Sequence, residues 1–242
     1  MENFPTVTVP CPLVSRPANR PNARQPGVTA MAEQEIVLMD ASHPHRGKAE
    51  AMVQQVFEQS YGARLSTFYP CMLGIRGRDG EYRAIAGIRS GRHDFFAEHY
   101  LPDRVEQLLG VPREDVVEVG NLATRKSGEI RWIIAAVTAF LHGAGFSRVL
   151  ITITPLLRNS FRRMGLPLDH LADARRELLP ADLSRDWGAY YDCGPEVCVG
   201  KISVGYRAFR ENICSSEQLR QAWEQALALG EAHGCRLREA RA

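Results

Sequence analysis

Apolar and polar positions fall into regular periods only from residue 35 onward. Residues 35–39 are an apolar run of strand length. Ala49, Met52, Val53, Val56, Phe57 and Tyr61 then recur at helical spacing. That spacing predicts a helix with one core face, entered near Ser42 with Pro44 just inside. Two strands follow, 68–75 and 82–88, around Gly77-Arg78-Asp79-Gly80, a sequence suited to a hairpin turn. An aromatic and acidic stretch, 95–100, leads to a short helix at 102–109.

The middle of the chain carries the strongest periodicity. Residues 116–123 read as a strand, 129–142 as a helix apolar on nearly all sides and hence buried, and 147–154 as a β-branched strand closed by Pro155. Strand, helix and strand in that order predict a βαβ unit with a right-handed parallel pair. A short helix at 156–164 ends at Gly165, which suits the left-handed position after a helix. Residues 168–200 show no single period and hold an aromatic cluster, Trp187-Gly188-Ala189-Tyr190-Tyr191. A last helix is expected from Ser215, where Ser215 and Gln218 make a capping box. Leu219, Ala222, Trp223, Ala226 and Leu227 form its apolar stripe. The fold expected is α/β (α+β), a mixed sheet with a central βαβ unit and flanking helices.

Residues 1–33 hold six of the fourteen prolines, three arginines and no period. Such a segment buries too little apolar surface to offset its ordering entropy. A disordered tail before one domain over 34–242 is therefore expected, with Met31 a candidate translational start. An apolar fraction of 45%, a charged fraction of 24% and a formal charge of +2 suit a soluble globular chain. They give no reason to expect nucleic acid as a partner. No run nears the roughly 18 apolar residues of a membrane-spanning helix, and no secretory signal is visible. Cys11, Cys71, Cys193, Cys198, Cys214 and Cys235 are too sparse for a disulfide scaffold. The Cys193–Cys198 spacing finds no second pair to complete a zinc site, so no metal is expected. A cytoplasmic protein fits best; the oligomeric state is left open.

The chemistry concentrates in the strand at 116–123. Glu118, Gly120 and Asn121 interrupt an otherwise apolar strand. Gly120 marks either a structural bulge or a place where backbone groups approach a substrate carbonyl. Glu118 and Asn121 have opposite strand parity unless a bulge resets the register. With a bulge both reach one cleft, and Glu118 is either a general base or the partner of an arginine. Arg125-Lys126-Ser127-Gly128, between the strand and the buried helix, is either a solvated basic turn or a phosphate cradle at a helix start. Glu98 and Tyr100 line a cleft or belong to an ordinary turn. Trp187, Tyr190 and Tyr191 wall a substrate pocket or fill the core.

Two resemblances meet on these residues. Arg125 and Gly128 occupy positions of the pyrophosphate-binding loop of the GNAT acyltransferase superfamily, while Ile130 stands where that loop has Gly or Ala. Asn159, Phe161, Gly165 and Leu166 resemble its later segment. A closer resemblance, over most of 35–205, is to the thermostable hemolysin family. It rests on Ala86-Gly87-Ile88-Arg89, Phe96-Ala97-Glu98-His99-Tyr100-Leu101, Val117-Glu118-Val119-Gly120-Asn121-Leu122-Ala123 and the 187–191 cluster. That family's strand order is similar to the acyl-homoserine-lactone synthases, which carry Glu-x-Ser-Arg-Phe on the fourth strand. Here the Glu is kept as Glu118 and the Ser-Arg pair is not.

The resemblance implies a GNAT-like acyltransferase using acyl-CoA, or the phosphopantetheine of an acyl carrier protein, as co-substrate. The acceptor would be an amine-type small molecule. Gly120, Leu122, Arg125, Lys126, Gly128 and Asn159 would hold the carrier. Glu118 would act as base, with Asn121, Glu98, Tyr100 and Arg89 orienting the acceptor and Trp187, Tyr190 and Tyr191 enclosing it. The Ile130 departure favours a carrier protein over free coenzyme A. The alternatives are a membrane-lytic protein, which the family name implies, and a catalytically inactive binding module.

Overall fold

The computed structural model describes residues 34–212 and 216–238. The expected tail, Met31 and the helix entry at Ser215 lie outside the described residues. β1 (Glu35–Met39) leads into α1 (Arg46–Tyr61), and the hairpin of β2 (Cys71–Arg76) and β3 (Tyr82–Ser90) follows. A 3-10 turn (Phe96–Tyr100) and the short α2 (Val105–Leu109) precede β4 (Val116–Thr124). α3 (Ile130–Gly143) and β5 (Arg148–Ile153) complete the expected βαβ unit. Then come α4 (Pro155–Arg163), β6 (Asp169–Asp173), α5 (Ala181–Ser184) and β7 (Glu196–Lys201). α6 (Ile202–Asn212) and α7 (Glu217–Arg238) close the described chain. The strands form one sheet in the order β1-β2-β3-β4-β5-β7-β6. Neighbours are antiparallel except β4 and β5, which run parallel.

Both faces of the sheet are covered, as its apolar strands demand. α3, α6 and α7 pack Ile133, Phe140, Phe209 and Trp223 against Leu73, Val117 and Ile151 on one face. α1 sets Val53 and Phe57 against Met39, Met72, Ile85 and Ala123 on the other. Beside α1 the same face is covered by Phe95 and Val105, against Val116, Leu150 and Val197. Each such side chain contributes about 1.5–3 kcal/mol when fully buried. α3 and α7 approach unusually closely. A Cβ on Gly230 would lie 2.1 Å from the Phe140 carbonyl oxygen, and one on Gly143 2.4 Å from that of Leu227. A helical glycine costs about 1 kcal/mol against alanine, and here the close packing offsets it.

Three local expectations are corrected. α1 starts at Arg46; Ser42 turns back on Asp40, with its N–H at 3.0 Å and its hydroxyl at 2.7 Å from Oδ1, so it does not cap the helix. β2 starts at Cys71 and not at residue 68, because the buried Arg46 takes the carbonyls of Tyr69 (2.5 Å) and Pro70 (3.3 Å). The mixed stretch at 168–200 contains β6 and most of β7, which extend the sheet past β5. At α4, Thr154 is the N-cap with Pro155 in the first turn, and Gly165 takes the left-handed conformation beyond its end.

Candidate active site

β3 and β4 pair in register from Ser90 and Val117 to Gly87 and Gly120, then resume at Ile85 and Ala123. Two steps along β3 therefore face three along β4, and β4 carries a bulge at 121–122. Asn121 sits there at φ 47°, the one non-glycine residue in the left-handed region among the described residues. Asparagine tolerates that region better than most side chains. Its Oδ1 accepts the backbone N–H of Tyr69 at 2.9 Å, which ties the 62–70 loop to the bulge. On its other edge β4 pairs with β5 only from Val116 opposite Arg148 to Val119 opposite Ile151. β5 continues beside β7 to Ile153. The two parallel strands thus part at Gly120.

Three adjoining hollows occupy the splay, and Leu122 lines all of them. The first, of about 670 Å³, is walled by Tyr69, Phe96, Tyr100, Trp187, Tyr190 and Tyr191, with Gly120 and Asn121 at its base. The second, of about 610 Å³, lies beneath α3 and is apolar: Val137, Leu141, Phe161 and Leu166 face Val119, Leu122 and Ile151, the last three shared with the first. The third, of about 430 Å³, opens at the head of α3 between Thr124, Ile130 and Ser160.

Glu118 lies behind the aromatic hollow and lines none of the three. It is 1% exposed. Its Oε2 accepts the N–H of Phe96 and its Oε1 that of Ala97, both at 2.8 Å, and Arg89 Nη1 stands 4.0 Å from Oε2. Burial pushes its pKa above the ordinary carboxylate range, against the pull of Arg89, the two amides and the Tyr69 phenol. The arginine partner and the buried carboxylate are therefore found together.

Gly120, Asn121, Leu122, Tyr100, Trp187, Tyr190 and Tyr191 converge on the aromatic hollow. The Tyr100 and Tyr191 hydroxyls meet at 2.5 Å, and burial raises both pKa values, that of Tyr191 to about 12. Arg89 lies over the Tyr69 ring, 4.2 Å from its centroid. Glu98 is placed apart. Its carboxylate is held by Arg113 Nη1 at 2.7 Å and Nη2 at 2.9 Å, and by the amides of Phe95 and Val105. Burial lifts its pKa, but Arg113 and these amides outweigh that and hold it below the usual range. Glu98 thus fixes the turn that carries Phe96 and Tyr100 and does not line the hollow.

The basic loop is already engaged. Arg125 donates from Nε to the Tyr82 carbonyl at 2.8 Å and pairs through Nη2 with Glu81 at 3.1 Å. The Lys126 amide donates to Glu129 Oε2 at 2.8 Å, so an incoming phosphate would displace a carboxylate there. A Cβ on Gly128 would meet open space. Asn159 is exposed on α4 and lines none of the three hollows. Among the described residues no three His, Cys, Asp or Glu side chains come together to hold a metal, and no helix is long and apolar enough to cross a membrane.

Sequence reasoning missed Tyr69, Phe96 and Thr152 as wall residues. Thr152 Oγ1 is buried on β5 at the splay and has no hydrogen-bond partner among the described residues. Tyr69 falls inside the strand expected at 68–75, and its only signal is an aromatic next to Pro70 near that strand's entrance.

Several solved structures share this architecture. TofI in an apo form matches with a TM-score of 0.51 at 16% identity, over 81% of this chain and 99% of that one. BjaI, a CoA-dependent acyl-homoserine lactone synthase whose structure was determined with SAM and isopentyl-CoA, matches with 0.53 at 12%, over 78% and 99%. The AHL synthase LasI matches with 0.50 at 11%, over 70% and 90%. At such identities the likeness establishes the fold, which is GNAT-like. No curated protein matches in sequence. The thermostable hemolysin model does match, over residues 39–206, and the chain belongs to the thermostable hemolysin family.

Proposed function

We propose that this protein is an acyltransferase that moves an acyl group from a thioester carrier, acyl-CoA or an acyl carrier protein, to an amine-type small molecule. The observation that carries this reading is the parting of β4 from β5 at a bulge, beside a buried carboxylate. Among the described residues no strand pairs with the β5-facing edge of β4 past Val119, so an extended pantetheine arm has a backbone edge to run along. The apolar hollow beneath α3 suits an acyl chain, and the aromatic hollow suits the acceptor. The third hollow, at the head of α3, would receive the phosphate end near Arg125, Lys126 and Gly128.

Acyl transfer asks little covalent chemistry of the protein. The acceptor nitrogen attacks the thioester carbon, a C–N bond forms, the C–S bond breaks, and one proton passes from nitrogen to the departing sulfur. Orientation and stabilisation of the carbonyl oxygen supply most of such an acceleration. Glu118, with its raised pKa, is the group that takes the proton in transit. The fold supports the reading because BjaI, which shares it, is a CoA-dependent acyl-homoserine lactone synthase.

The test is thermal unfolding of the full chain against coenzyme A, acyl-CoAs of graded length and an acyl carrier protein charged with the same chains. A ligand at one hundred times its Kd adds about 2.7 kcal/mol to folding, several degrees for a domain of this size. A shift with acyl-CoA that Arg125→Glu abolishes supports the thioester site. A shift with the charged carrier protein alone identifies the carrier. No shift across the panel overturns the proposal.

A further inference from the structure

Glu118 is sealed away from the aromatic hollow, so a base at this position needs a group between it and the acceptor. Tyr69 occupies that place. Its ring is pressed against the bulge: a Cβ on Gly120 would lie 2.6 Å from Cζ and 2.8 Å from the hydroxyl oxygen of Tyr69. The Arg89 guanidinium covers the ring at 4.2 Å and stands 4.0 Å from Glu118 Oε2. The backbone is held at both ends, its N–H by Asn121 Oδ1 at 2.9 Å and its carbonyl by Arg46 Nη2 at 2.5 Å. Arg46 is itself 7% exposed and anchored by Glu50 at 2.7 Å. A left-handed asparagine, a strand glycine and a buried arginine thus all act on one tyrosine that faces the hollow. Sites that fix a side chain from every direction are the ones where its position matters to chemistry.

We infer that Tyr69 is the proton relay of this site: its hydroxyl touches the acceptor and connects it to Glu118, which acts through it. The inference rests on the acyl-transfer reading. As the acceptor nitrogen forms its bond to the thioester carbon, it gives a proton to the Tyr69 oxygen, and the phenol passes its own proton to Glu118. When the C–S bond breaks, Glu118 returns its proton to the phenol oxygen, the phenol gives its own to the departing sulfur, and the sulfur leaves as a thiol. Glu118 and Tyr69 end as they began, and the products are an amide and the free thiol of the carrier. Two further groups bear on the pair: Arg89 from β3 and the Tyr190 hydroxyl, which is also bonded to the Thr152 carbonyl at 3.3 Å. Burial keeps the Tyr69 phenol protonated at rest, as a relay requires.

The experiment pairs a structural readout with a kinetic one on Tyr69→Phe, which keeps the ring and both backbone bonds. Glu118 is titrated by carboxyl-carbon NMR, its resonance assigned with Glu118→Gln. Release of free coenzyme A from decanoyl-CoA is followed with a panel of primary amines. The relay predicts a higher Glu118 midpoint in Tyr69→Phe and a loss of about a hundredfold or more in kcat, with KM for decanoyl-CoA within twofold. An unchanged midpoint means that the hydroxyl does not address the carboxylate, and the relay is wrong. A shifted midpoint with turnover at the wild-type rate refutes it equally. If the wild type releases no thiol with any amine, from decanoyl-CoA or from an acyl carrier protein charged with the same chain, the acyl-transfer reading fails and the relay with it, whatever the titration shows. Fluorotyrosine at position 69 gives a second variant of native shape with a more acidic phenol. The relay requires its pH–rate profile to move, and an unmoved profile overturns it.

Discussion

Asn121 offers a perturbation whose magnitude can be worked from two separate terms. Its Oδ1 holds the Tyr69 N–H at 2.9 Å, and its backbone sits at φ 47°. Asn121→Gly removes the bond and leaves a residue at ease in the left-handed region. The unsatisfied Tyr69 N–H then costs about 1–3 kcal/mol, with the lower half expected because the group is only partly buried. Asn121→Ala removes the same bond and adds the left-handed penalty of a Cβ, about 1–2 kcal/mol more. Urea denaturation followed by tryptophan fluorescence resolves both terms if the slope m is unchanged among the three proteins. With m near 2 kcal/mol/M, the Gly variant moves the midpoint down by roughly 0.5–1 M, and the Ala variant by about as much again. An Ala variant as stable as wild type would show that the Asn121–Tyr69 bond contributes nothing. An Ala variant no worse than Gly would contradict the left-handed backbone, and with it the bulge on which the cleft depends.

Glu118→Gln is expected to abolish coenzyme A release while leaving the acyl-CoA thermal shift intact; loss of both together would make Glu118 purely structural. Burial raises the folded pKa of Glu118 above its unfolded value. Stability from its neutral form is then complete below the unfolded value and lost as pH rises through the folded one. Glu118→Gln should accordingly gain on the wild type in denaturation midpoints as pH climbs through that window, and a gap that widens instead would reverse the sign of the argument. Catalysis needs the ionised form, so turnover should fall on the acid side at a pH above the ordinary carboxylate range; an acid limb within that range would show that burial does not raise the Glu118 pKa. Thr138→Phe, at the wall of the apolar hollow, should cut turnover of decanoyl-CoA at least tenfold and spare butyryl-CoA; equal losses for both would place the chain elsewhere.

What was legible in the sequence, and what was not, follows from how far each signal reaches along the chain. The βαβ unit showed because its helix is apolar all round and its second strand is β-branched, both properties of short windows. β7 did not show. Val197, Cys198, Val199 and Gly200 are all buried, so the strand has no alternation, and six residues without a period read equally well as a buried helix turn. β6, Asp169–Asp173, is a polar edge strand and reads as a loop.

The site divides along the same line. Glu118, Gly120 and Asn121 stood out as polar or flexible residues that an apolar strand has no local use for. Their parity conflict was the trace of the bulge: one extra residue in β4 turns a contradiction into a shared cleft. Tyr69 and Arg46 left no such trace. Tyr69 meets Asn121 across 52 residues, and Arg46 meets Tyr69 across 23. Neither contact alters the local period at either end. Arg46 reads as an ordinary charge at the start of an amphipathic helix, and only the folded chain shows that it is buried against the carbonyls preceding β2. The same geometry explains why Glu98, the other acidic candidate in sequence, parts company with Glu118. Arg113, 15 residues further on, bonds both of its oxygens and holds its pKa down. Glu118 has its arginine only at 4.0 Å and is bonded by the phenol of Tyr69, a residue that lines the cleft. Two carboxylates in one neighbourhood are thereby separated into a fixed ion pair and a buried group with a raised pKa, and the two arginines and the phenol that separate them are distant in sequence.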